Sequence, residues 1–354
     1  MELRIKTIDP SPEPPFADPG EIGFGKLFAP HMFQMKYDKE NGWHNAEIGS
    51  LRPFELHPAT SCLHYGASIF EGLKAYRRGD GAIFLFRPDM NFKRMNASAR
   101  RMCMPELDVE FCVNALKELV GLDRDWVPQW PGTFLYLRPA MFADDPTLGI
   151  HVSPTFTFFV IMSPSGPYFT GGPLKLWVEE EYIRAAPGGT GSAKCAGNYA
   201  GTLLAADHAQ QKGYSQVLWL DGAERRYVEE AGTMNIFFVV GGEVITPELT
   251  DTILSGVTRD SILRLCEMNG IPSAERKVGI DEILADIEDG TCTEVFGAGT
   301  AAILAPVAQL RYGGKDYLVG GGNPGPMTQK LLDLLQGIQY GYIEGPPSWS
   351  LPVD

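Results

Sequence analysis

The chain has 354 residues, of which 44% are hydrophobic and 21% charged, with 40 glycines and 27 prolines. Its length exceeds that of a typical single core, so two domains are expected. The formal net charge of −14 argues against nucleic acids and anionic membranes as partners, because either would require a basic face.

The cysteines and the apolar segments indicate the cellular location of the protein. Six cysteines are spread without a Cys-x-x-Cys spacing, which favours free thiols in a reducing cytoplasm over a zinc cluster or a dithiol switch. The N-terminus lacks an apolar stretch of signal-peptide length, and the longest apolar runs are too short to span a bilayer. No histidines stand at metal-ligand spacing. We therefore expect a cytoplasmic protein with no metal site and no membrane segment.

The first half of the chain predicts strands mixed with helices. Residues 82–86 predict a strand, after which Pro88 begins a helix. Asp108 is placed to cap a second helix. β-Branched and aromatic residues predict buried strands over 133–138 and 155–162.

A boundary between two domains is predicted near the middle of the chain. Three prolines and three glycines fall within 163–173, between two strand-like segments. We place the interdomain loop at 166–173, between a smaller N-terminal α/β domain at 1–165 and a larger C-terminal domain at 174–354. Further strands are predicted at 174–179, 216–220, 235–240 and 293–296, and helices at 261–268 and 327–340. The fold class is thus α/β, with α+β character, and a cleft between the domains is where a cofactor is expected.

Lys194 is the first candidate for chemistry. It lies among glycines and alanines in 188–201, which leaves little side-chain bulk around its amine. An amine attacks a carbonyl only when neutral, so burial or a nearby cation must lower its pKa. Most lysines are solvated charges, but this context favours partial burial. Tyr199 follows five residues later, either as a donor to a phenolate oxygen or as a packed core aromatic.

Glu230 precedes an almost wholly apolar strand, 36 residues after Lys194. A carboxylate beside a pyridine nitrogen keeps that nitrogen protonated, and the protonated ring then draws electrons from a substrate carbon. We expect its neighbour Glu229 to be solvated.

Two loops offer free backbone amides. Gly256 forms a turn before a helix, and the amides of Val257 and Thr258 at the start of that helix would face an anion. A second loop at 297–301 offers Thr300 and further amides. Either loop alone is equally well an ordinary turn, and neither matches a nucleotide-binding pattern.

An amine, a carboxylate and an anion site together indicate a protein that holds pyridoxal 5′-phosphate through a Schiff base on Lys194. Arg94 is a candidate cation for the phosphate, since arginine pairs with it bidentately. The alternative for Arg94 is an arginine on the surface of a helix.

The motifs occur in the order Lys194, Gly-Asn-Tyr, Glu-x-Gly-Thr-Met-Asn, Gly-Val-Thr-Arg and Phe-Gly-x-Gly-Thr-Ala. In this order the chain resembles the class IV (fold type IV) pyridoxal-phosphate-dependent aminotransferases, and most closely the branched-chain amino acid aminotransferases. The resemblance runs from about residue 22 to 344. It implies that family's two-domain fold, with the cofactor in the interdomain cleft, and a homodimer.

The resemblance also implies a role for individual residues. Lys194 becomes the Schiff-base lysine and the proton carrier between substrate and cofactor. The implied cofactor-binding residues are Arg94, Lys194, Tyr199, Glu230, Thr233, Val257, Thr258, Ala298 and Thr300. The implied substrate-binding residues are Phe24, Tyr65, Phe70, Tyr136, Arg138, Leu148, Ile150, Thr300 and Ala301. Of these, Tyr65, Leu148 and Ile150 would come from the partner subunit, and Arg138 would bind the distal carboxylate of glutamate.

The implied reaction transfers the amino group of leucine, isoleucine or valine to 2-oxoglutarate in a ping-pong cycle, yielding branched-chain 2-oxo acids and L-glutamate. Alternatives on the same fold are a D-amino acid transaminase and an aminodeoxychorismate lyase. A further alternative is a non-catalytic protein that kept the fold. The chain departs from the mammalian pattern in lacking a Cys-x-x-Cys after Ala301, so thiol regulation is not implied. Ala298 has no hydroxyl, so any phosphate contact there must use its backbone or water.

Overall fold

The structure is a computed structural model that describes residues 1–9, 11–166 and 172–353. The chain forms two compact units. Unit 1 takes the described residues of Met1–Tyr168, Ala193–Ala196 and Gly337–Asp354, and unit 2 takes those of Phe169–Ser192 and Gly197–Gln336. Most of the predicted interdomain loop, 166–173, lies outside the described residues.

Unit 1 is built on one sheet of nine strands. Its strands are β1 (Arg4–Ile5), β2 (His31–Asp38), β3 (Gly42–Ser50), β4 (Ser68–Phe70), β5 (Leu73–Arg77), β6 (Ile83–Phe86), β7 (Phe134–Ala143), β8 (Thr155–Ser165) and β18 (Ser350–Val353). Their order in the sheet is β1-β3-β2-β8-β7-β5-β6-β18, and β4 also pairs with β7. All neighbours are antiparallel except β1 and β3.

Unit 2 also contains a sheet of nine strands. They are β9 (Leu174–Val178), β10 (Gln216–Leu220), β11 (Val228–Ala231), β12 (Met234–Val240), β13 (Glu243–Pro247), β14 (Ser273–Arg276), β15 (Cys292–Gly299), β16 (Ile303–Tyr312) and β17 (Lys315–Leu318). Six strands close into a ring, because the path β11-β10-β9-β16-β15-β12 ends on a strand that pairs again with β11. Ring closure removes the open strand edges of these six strands.

The helices are α1 (Ser61–Tyr65), α2 (Pro88–Arg101), α3 (Val109–Leu122), α4 (Ala196–Ala200), α5 (Leu203–Gln211), α6 (Val257–Met268), α7 (Ile280–Glu288) and α8 (Pro326–Gln339). The helix predicted from Pro88 and the cap predicted at Asp108 are confirmed. Asp108 accepts a hydrogen bond from the Phe111 backbone N–H at 3.0 Å. Apolar residues of α2 and α3, such as Met95 and Leu116, are fully buried in the core of unit 1. Within the described ranges, no helix is both long and apolar enough to cross a bilayer.

Lys194 belongs to unit 1 although it lies within 174–354, the range predicted for the C-terminal domain. The reason is backbone pairing. Ile69 and Cys195 form an antiparallel bridge, and the Phe70 N–H donates to the Lys194 carbonyl at 3.0 Å. Similarly, the C-terminal strand β18 joins unit 1 by pairing with β6. Strand pairing, rather than chain order, therefore decides where these segments belong.

The cap of α3 offers a test of the local structure in unit 1. We expect Asp108→Ala to lower the free energy of unfolding by about 1 kcal/mol, because the Phe111 amide loses its acceptor. Urea unfolding measures this change. Glu110→Ala, an exposed acidic residue in the same turn, is the matched control. Equal losses in the two variants would contradict a specific cap.

Candidate active site

The Lys194 amine lies in a desolvated environment within unit 1. Its Nζ is 4.8 Å from the centre of the Phe70 ring. Burial, reinforced by the charge of Arg94, lowers the pKa of Lys194 to about 8. A substantial fraction of the amine is therefore neutral near physiological pH, as nucleophilic attack requires.

The Lys194 peptide group is anchored to α2. Its N–H donates to Ser98 Oγ at 2.9 Å, and that hydroxyl donates to the carbonyl of Arg94 at 3.1 Å. Ser98 lies one helical turn after Arg94, so a single side chain ties the lysine backbone to the turn that carries the arginine.

Arg94 is held by a buried carboxylate. Its Nε and Nη2 each lie 2.8 Å from an oxygen of Glu71, which makes the pair bidentate. The side chains are 8% and 0% exposed, so the alternative of a surface arginine is wrong. Burial alone would raise the pKa of Glu71, but the charge and hydrogen bonds of Arg94, with Lys194 and Asn91, hold it below its usual value.

Three predicted substrate residues and Arg138 come together on unit 1. The rings of Phe24 and Tyr136 are 5.1 Å apart, and Arg138 Nη2 donates to the Tyr136 hydroxyl at 3.0 Å. The Arg138 guanidinium also lies 4.9 Å from the Phe70 ring centre. Among the described residues, nothing accepts a hydrogen bond from the buried Arg138 Nε. This group is an apolar surface with one guanidinium that still has a donor to offer.

Gly72 makes room for Tyr136. A Cβ added at Gly72 would lie 2.0 Å from the Tyr136 hydroxyl oxygen, too close for any side chain at this position. The glycine next to Glu71 therefore sets where the ring of Tyr136 can lie.

Tyr65, Leu148 and Ile150 form a separate group on the surface of unit 1. They are 43%, 64% and 93% exposed, respectively. The Tyr65 hydroxyl accepts from the Gly149 N–H at 2.7 Å. Asp145 anchors the loop by accepting hydrogen bonds from Ser61 Oγ and His151 Nε2 at 2.9 and 2.8 Å. A fixed loop thus presents apolar side chains to the outside of the unit.

Glu230 is buried in β11 of unit 2 and paired with an arginine that the sequence did not single out. Its Oε2 lies 2.9 Å from Arg184 Nε, and its Oε1 accepts from the Leu254 N–H at 2.9 Å. The expectation that Glu229 is solvated is wrong. Glu229 is buried, accepts from the Thr252 hydroxyl, and has its pKa raised by burial.

Glu230, Asn235 and Ala298 occupy one row across three neighbouring strands, β11, β12 and β15. Asn235 Nδ2 donates to the Leu254 carbonyl at 2.9 Å. A Cβ added at Gly256 would lie 2.0 Å from Asn235 Oδ1, so the turn packs directly on this side chain. Glu230 and Asn235 together fix the segment that leads into α6.

Within the described part of the chain, two backbone donors at the N-terminus of α6 have no acceptor. Gly256 is the N-cap residue and supplies no side-chain cap. The first intrahelical bond runs from the Asp260 N–H to the Gly256 carbonyl at 3.0 Å, so the amides of Val257 and Thr258 precede the helical ladder. Both residues are buried. Bare amides at the positive end of a helix are suited to an anion.

The remaining predicted residues of unit 2 lie at the ends of its elements. Tyr199 is half-buried in the short helix α4. Thr233 is exposed in the turn between β11 and β12, whereas Thr300 and Ala301 are half-buried between β15 and β16.

Sequence reasoning missed five polar residues that hold the candidate residues in place. The missed residues are Glu71, Asn91, Ser98, Arg184 and Asn235. Asn235 lies inside a motif that carried the resemblance and Glu71 directly follows the predicted substrate residue Phe70, so proximity to a candidate residue was the available signal. Nothing in the local sequence distinguishes a buried acidic side chain from a solvated one.

Comparison with known proteins identifies the family. The family model described as amino-transferase class IV matches residues 68–310. Branched-chain-amino-acid transaminase 1 of Bacillus subtilis (strain 168) is 48% identical over 353 residues, covering 99% of this chain and 98% of that protein.

Two solved structures are also similar. The branched-chain amino acid aminotransferase of Escherichia coli has a TM-score of 0.76 at 26% identity, covering 92% of this chain and 99% of that one. The T.th. branched-chain amino acid aminotransferase, complexed with N-(5′-phosphopyridoxyl)-L-glutamate, has a TM-score of 0.75 at 25% identity, covering 94% and 99%. The matched family region contains Lys194, Glu230 and α6, and the resemblance drawn from the motifs is confirmed: this chain belongs to the class IV aminotransferases.

Proposed function

We propose that this chain is a branched-chain L-amino acid transaminase. It moves the amino group of leucine, isoleucine or valine to 2-oxoglutarate, giving branched-chain 2-oxo acids and L-glutamate in two half-reactions. The observation that carries this proposal is a desolvated lysine amine beside an apolar surface that includes one arginine. The 48% identity to a Bacillus subtilis transaminase supports the same reaction.

The cofactor is pyridoxal 5′-phosphate, which draws electron density from the substrate Cα when it is bound. The chain supplies the donor set that this group needs. Lys194 provides an amine with a lowered pKa, and the bare amides of Val257 and Thr258 provide an anion site. Glu230 provides a buried carboxylate whose charge is balanced by Arg184.

Lys194 acts as the covalent anchor and as the proton carrier. A neutral amine is required for attack on a carbonyl and for accepting a proton from the substrate Cα. A protonated amine is required to return that proton in the other half-reaction. A pKa of about 8 leaves both forms populated near neutral pH.

The phosphate of the cofactor is assigned mainly to backbone amides, with Arg94 as an additional contribution. Val257 and Thr258 donate from the start of α6, and Ala298 and Thr300 lie at the end of β15. Arg94 uses Nε and Nη2 on Glu71, so its proposed contribution to the phosphate is mainly its charge.

The cofactor ring is assigned to Glu230, Tyr199 and Thr233. Glu230 is assigned to the pyridinium N–H because it is a buried carboxylate, and a negative charge favours the protonated form of the ring nitrogen. The Tyr199 hydroxyl is assigned to the phenolate oxygen, as the family resemblance implies.

The substrate is assigned to an apolar pocket with one cation. Phe24, Phe70 and Tyr136 offer rings against aliphatic side chains, at about 0.8 kcal/mol per buried methylene. Arg138 is assigned to the distal carboxylate of glutamate and 2-oxoglutarate, since its Nε is buried without an acceptor among the described residues. The amides of Thr300 and Ala301 are assigned to the α-carboxylate.

A homodimer completes the proposal. The exposed side chains of Tyr65, Leu148 and Ile150 are costly for an isolated chain, which supports their burial in the substrate pocket of a partner subunit. We also propose a cytoplasmic location, supported by the six free cysteines.

Substrate choice tests the proposed function. We expect the purified protein to form L-glutamate from 2-oxoglutarate with L-leucine, L-isoleucine or L-valine, because the pocket is apolar. D-Alanine and aminodeoxychorismate serve as the competing substrates in the same coupled assay. A preference for either would support the corresponding alternative, and no turnover at all would support a non-catalytic protein.

Lys194 is expected to carry the cofactor covalently. Borohydride treatment followed by peptide mass spectrometry should find the reduced cofactor on Lys194 of the wild type and nowhere in Lys194→Ala. Activity should fall by at least about 10²–10⁴-fold in that variant, since proton transfer alone contributes this much. The exposed Lys175→Ala is the control, with wild-type labelling. A reduced adduct that persists in Lys194→Ala would refute the assignment.

Arg138 is expected to contribute to the binding of glutamate but not to the binding of leucine. Arg138→Gln removes a charged hydrogen-bond donor, worth about 1.5–3 kcal/mol, so KM for glutamate should rise about 10- to 100-fold. The kcat/KM for leucine should change less than about threefold, because leucine has no distal charge. Steady-state kinetics with each amino donor measure the difference, with Arg311→Gln at an exposed ion pair as control. Equal losses with both donors would contradict the role.

A further inference from the structure

Glu71 is a wholly buried carboxylate that accepts four hydrogen bonds from the chain itself. It accepts from Arg94 Nε, Arg94 Nη2 and Asn91 Nδ2, each at 2.8 Å, and from the Gly72 N–H at 3.2 Å. The side chain is 0% exposed, so a substrate arriving from solvent does not reach it. Glu71 therefore acts on other residues of the chain rather than on a ligand.

The Glu71–Arg94 pair is fixed relative to Lys194 at two points. Phe70, the residue before Glu71, donates its N–H to the Lys194 carbonyl at 3.0 Å. On the other side, the Lys194 N–H donates to Ser98 Oγ at 2.9 Å, and Ser98 in turn donates to the Arg94 carbonyl. Both peptide groups of the lysine are thereby tied to the segments that carry the two charges.

Four groups from three elements act electrostatically on the Lys194 amine. Arg94 from α2 and Arg138 from β7 disfavour its protonated form. Glu71, between β4 and β5, and Tyr136 from β7 favour it. Without Glu71, two guanidinium groups and the loss of solvation would act against the proton on Lys194 with one favourable charge fewer to oppose them.

We propose that Glu71 is a positioning residue, which holds the Arg94 guanidinium by one edge and offsets its charge so that the Lys194 amine gains and loses its proton in the working pH range. This inference rests on the proposed function only because the proposed reaction requires Lys194 to accept a proton and to return it. An amine with too low a proton affinity would not hold the proton that must be returned to the substrate. An amine with too high a proton affinity would stay protonated and could not act as a nucleophile.

The titration of Lys194 in the full-length, cofactor-free protein tests this role. Trace acetic anhydride acylates only neutral amines. Peptide mass spectrometry after labelling at pH 6 to 11 therefore gives, for each lysine, the midpoint of its titration, which is the pH at which half of the amine is neutral. We expect a midpoint of about 8 for wild-type Lys194. Glu71→Gln should lower it by about one pH unit or more, since a favourable charge is lost. Arg94→Met should raise it, because an unfavourable charge is lost.

The double variant Glu71→Gln/Arg94→Met should return the midpoint close to the wild-type value, because the two opposing charges are removed together. Opposite shifts that cancel are not expected of a residue that only supports the fold. Glu106→Gln is the matched control, because Glu106 pairs with Arg100 on the exposed face of α2. It should leave the Lys194 midpoint unchanged.

An unchanged or raised midpoint in folded Glu71→Gln overturns the proposal. Removing one partner of a buried pair is costly, so the single variant can fail to fold, as circular dichroism would reveal. The double variant then decides, since it must titrate below Arg94→Met if Glu71 has the proposed role, and equal midpoints overturn it. Failure of the proposed function would appear separately, as wild-type protein in which borohydride fixes no cofactor on Lys194.

Discussion

The chemistry proposed for this protein depends on the removal of water from one lysine amine. Desolvation disfavours the charged form of Lys194 and brings its pKa to about 8, within reach of neutral pH. The same low-polarity environment would make an unpaired Arg94 costly, which is why Glu71 lies wholly buried against it. The ion pair and the lysine are therefore parts of one electrostatic arrangement, held together by backbone bonds to Phe70 and Ser98.

Unit 2 meets a different constraint in the proposed site, which is to present the backbone amides of α6 to a phosphate. Closure of the six-stranded ring brings β11 beside β12, so that Glu230 and Asn235 lie side by side. Both side chains bond to Leu254, just before the turn at Gly256. Glu230 thus orders the entry to α6 in addition to carrying the charge proposed for the cofactor ring, and its removal would disturb both.

A pocket that accepts both leucine and glutamate needs apolar surface and a positive charge in the same place. In the proposed pocket Arg138 would meet this need, because its guanidinium packs against the rings of Phe70 and Tyr136. A guanidinium is weakly hydrated and stacks on aromatic faces, so it adds a donor without excluding aliphatic side chains. Gly72 contributes by leaving the space that the Tyr136 hydroxyl occupies.

The sequence by itself determined the family, and it predicted the reactive lysine and the anion site before α6, because each depends on residues that are close along the chain. The helix starting at Pro88 and the cap at Asp108 were predictable for the same reason. Only the tertiary structure decided that Lys194 joins unit 1, that Arg94 and Glu229 are buried, and that Arg184 balances Glu230. Each of these depends on which strands pair and which charges lose their water, and neither is encoded in local spacing or periodicity.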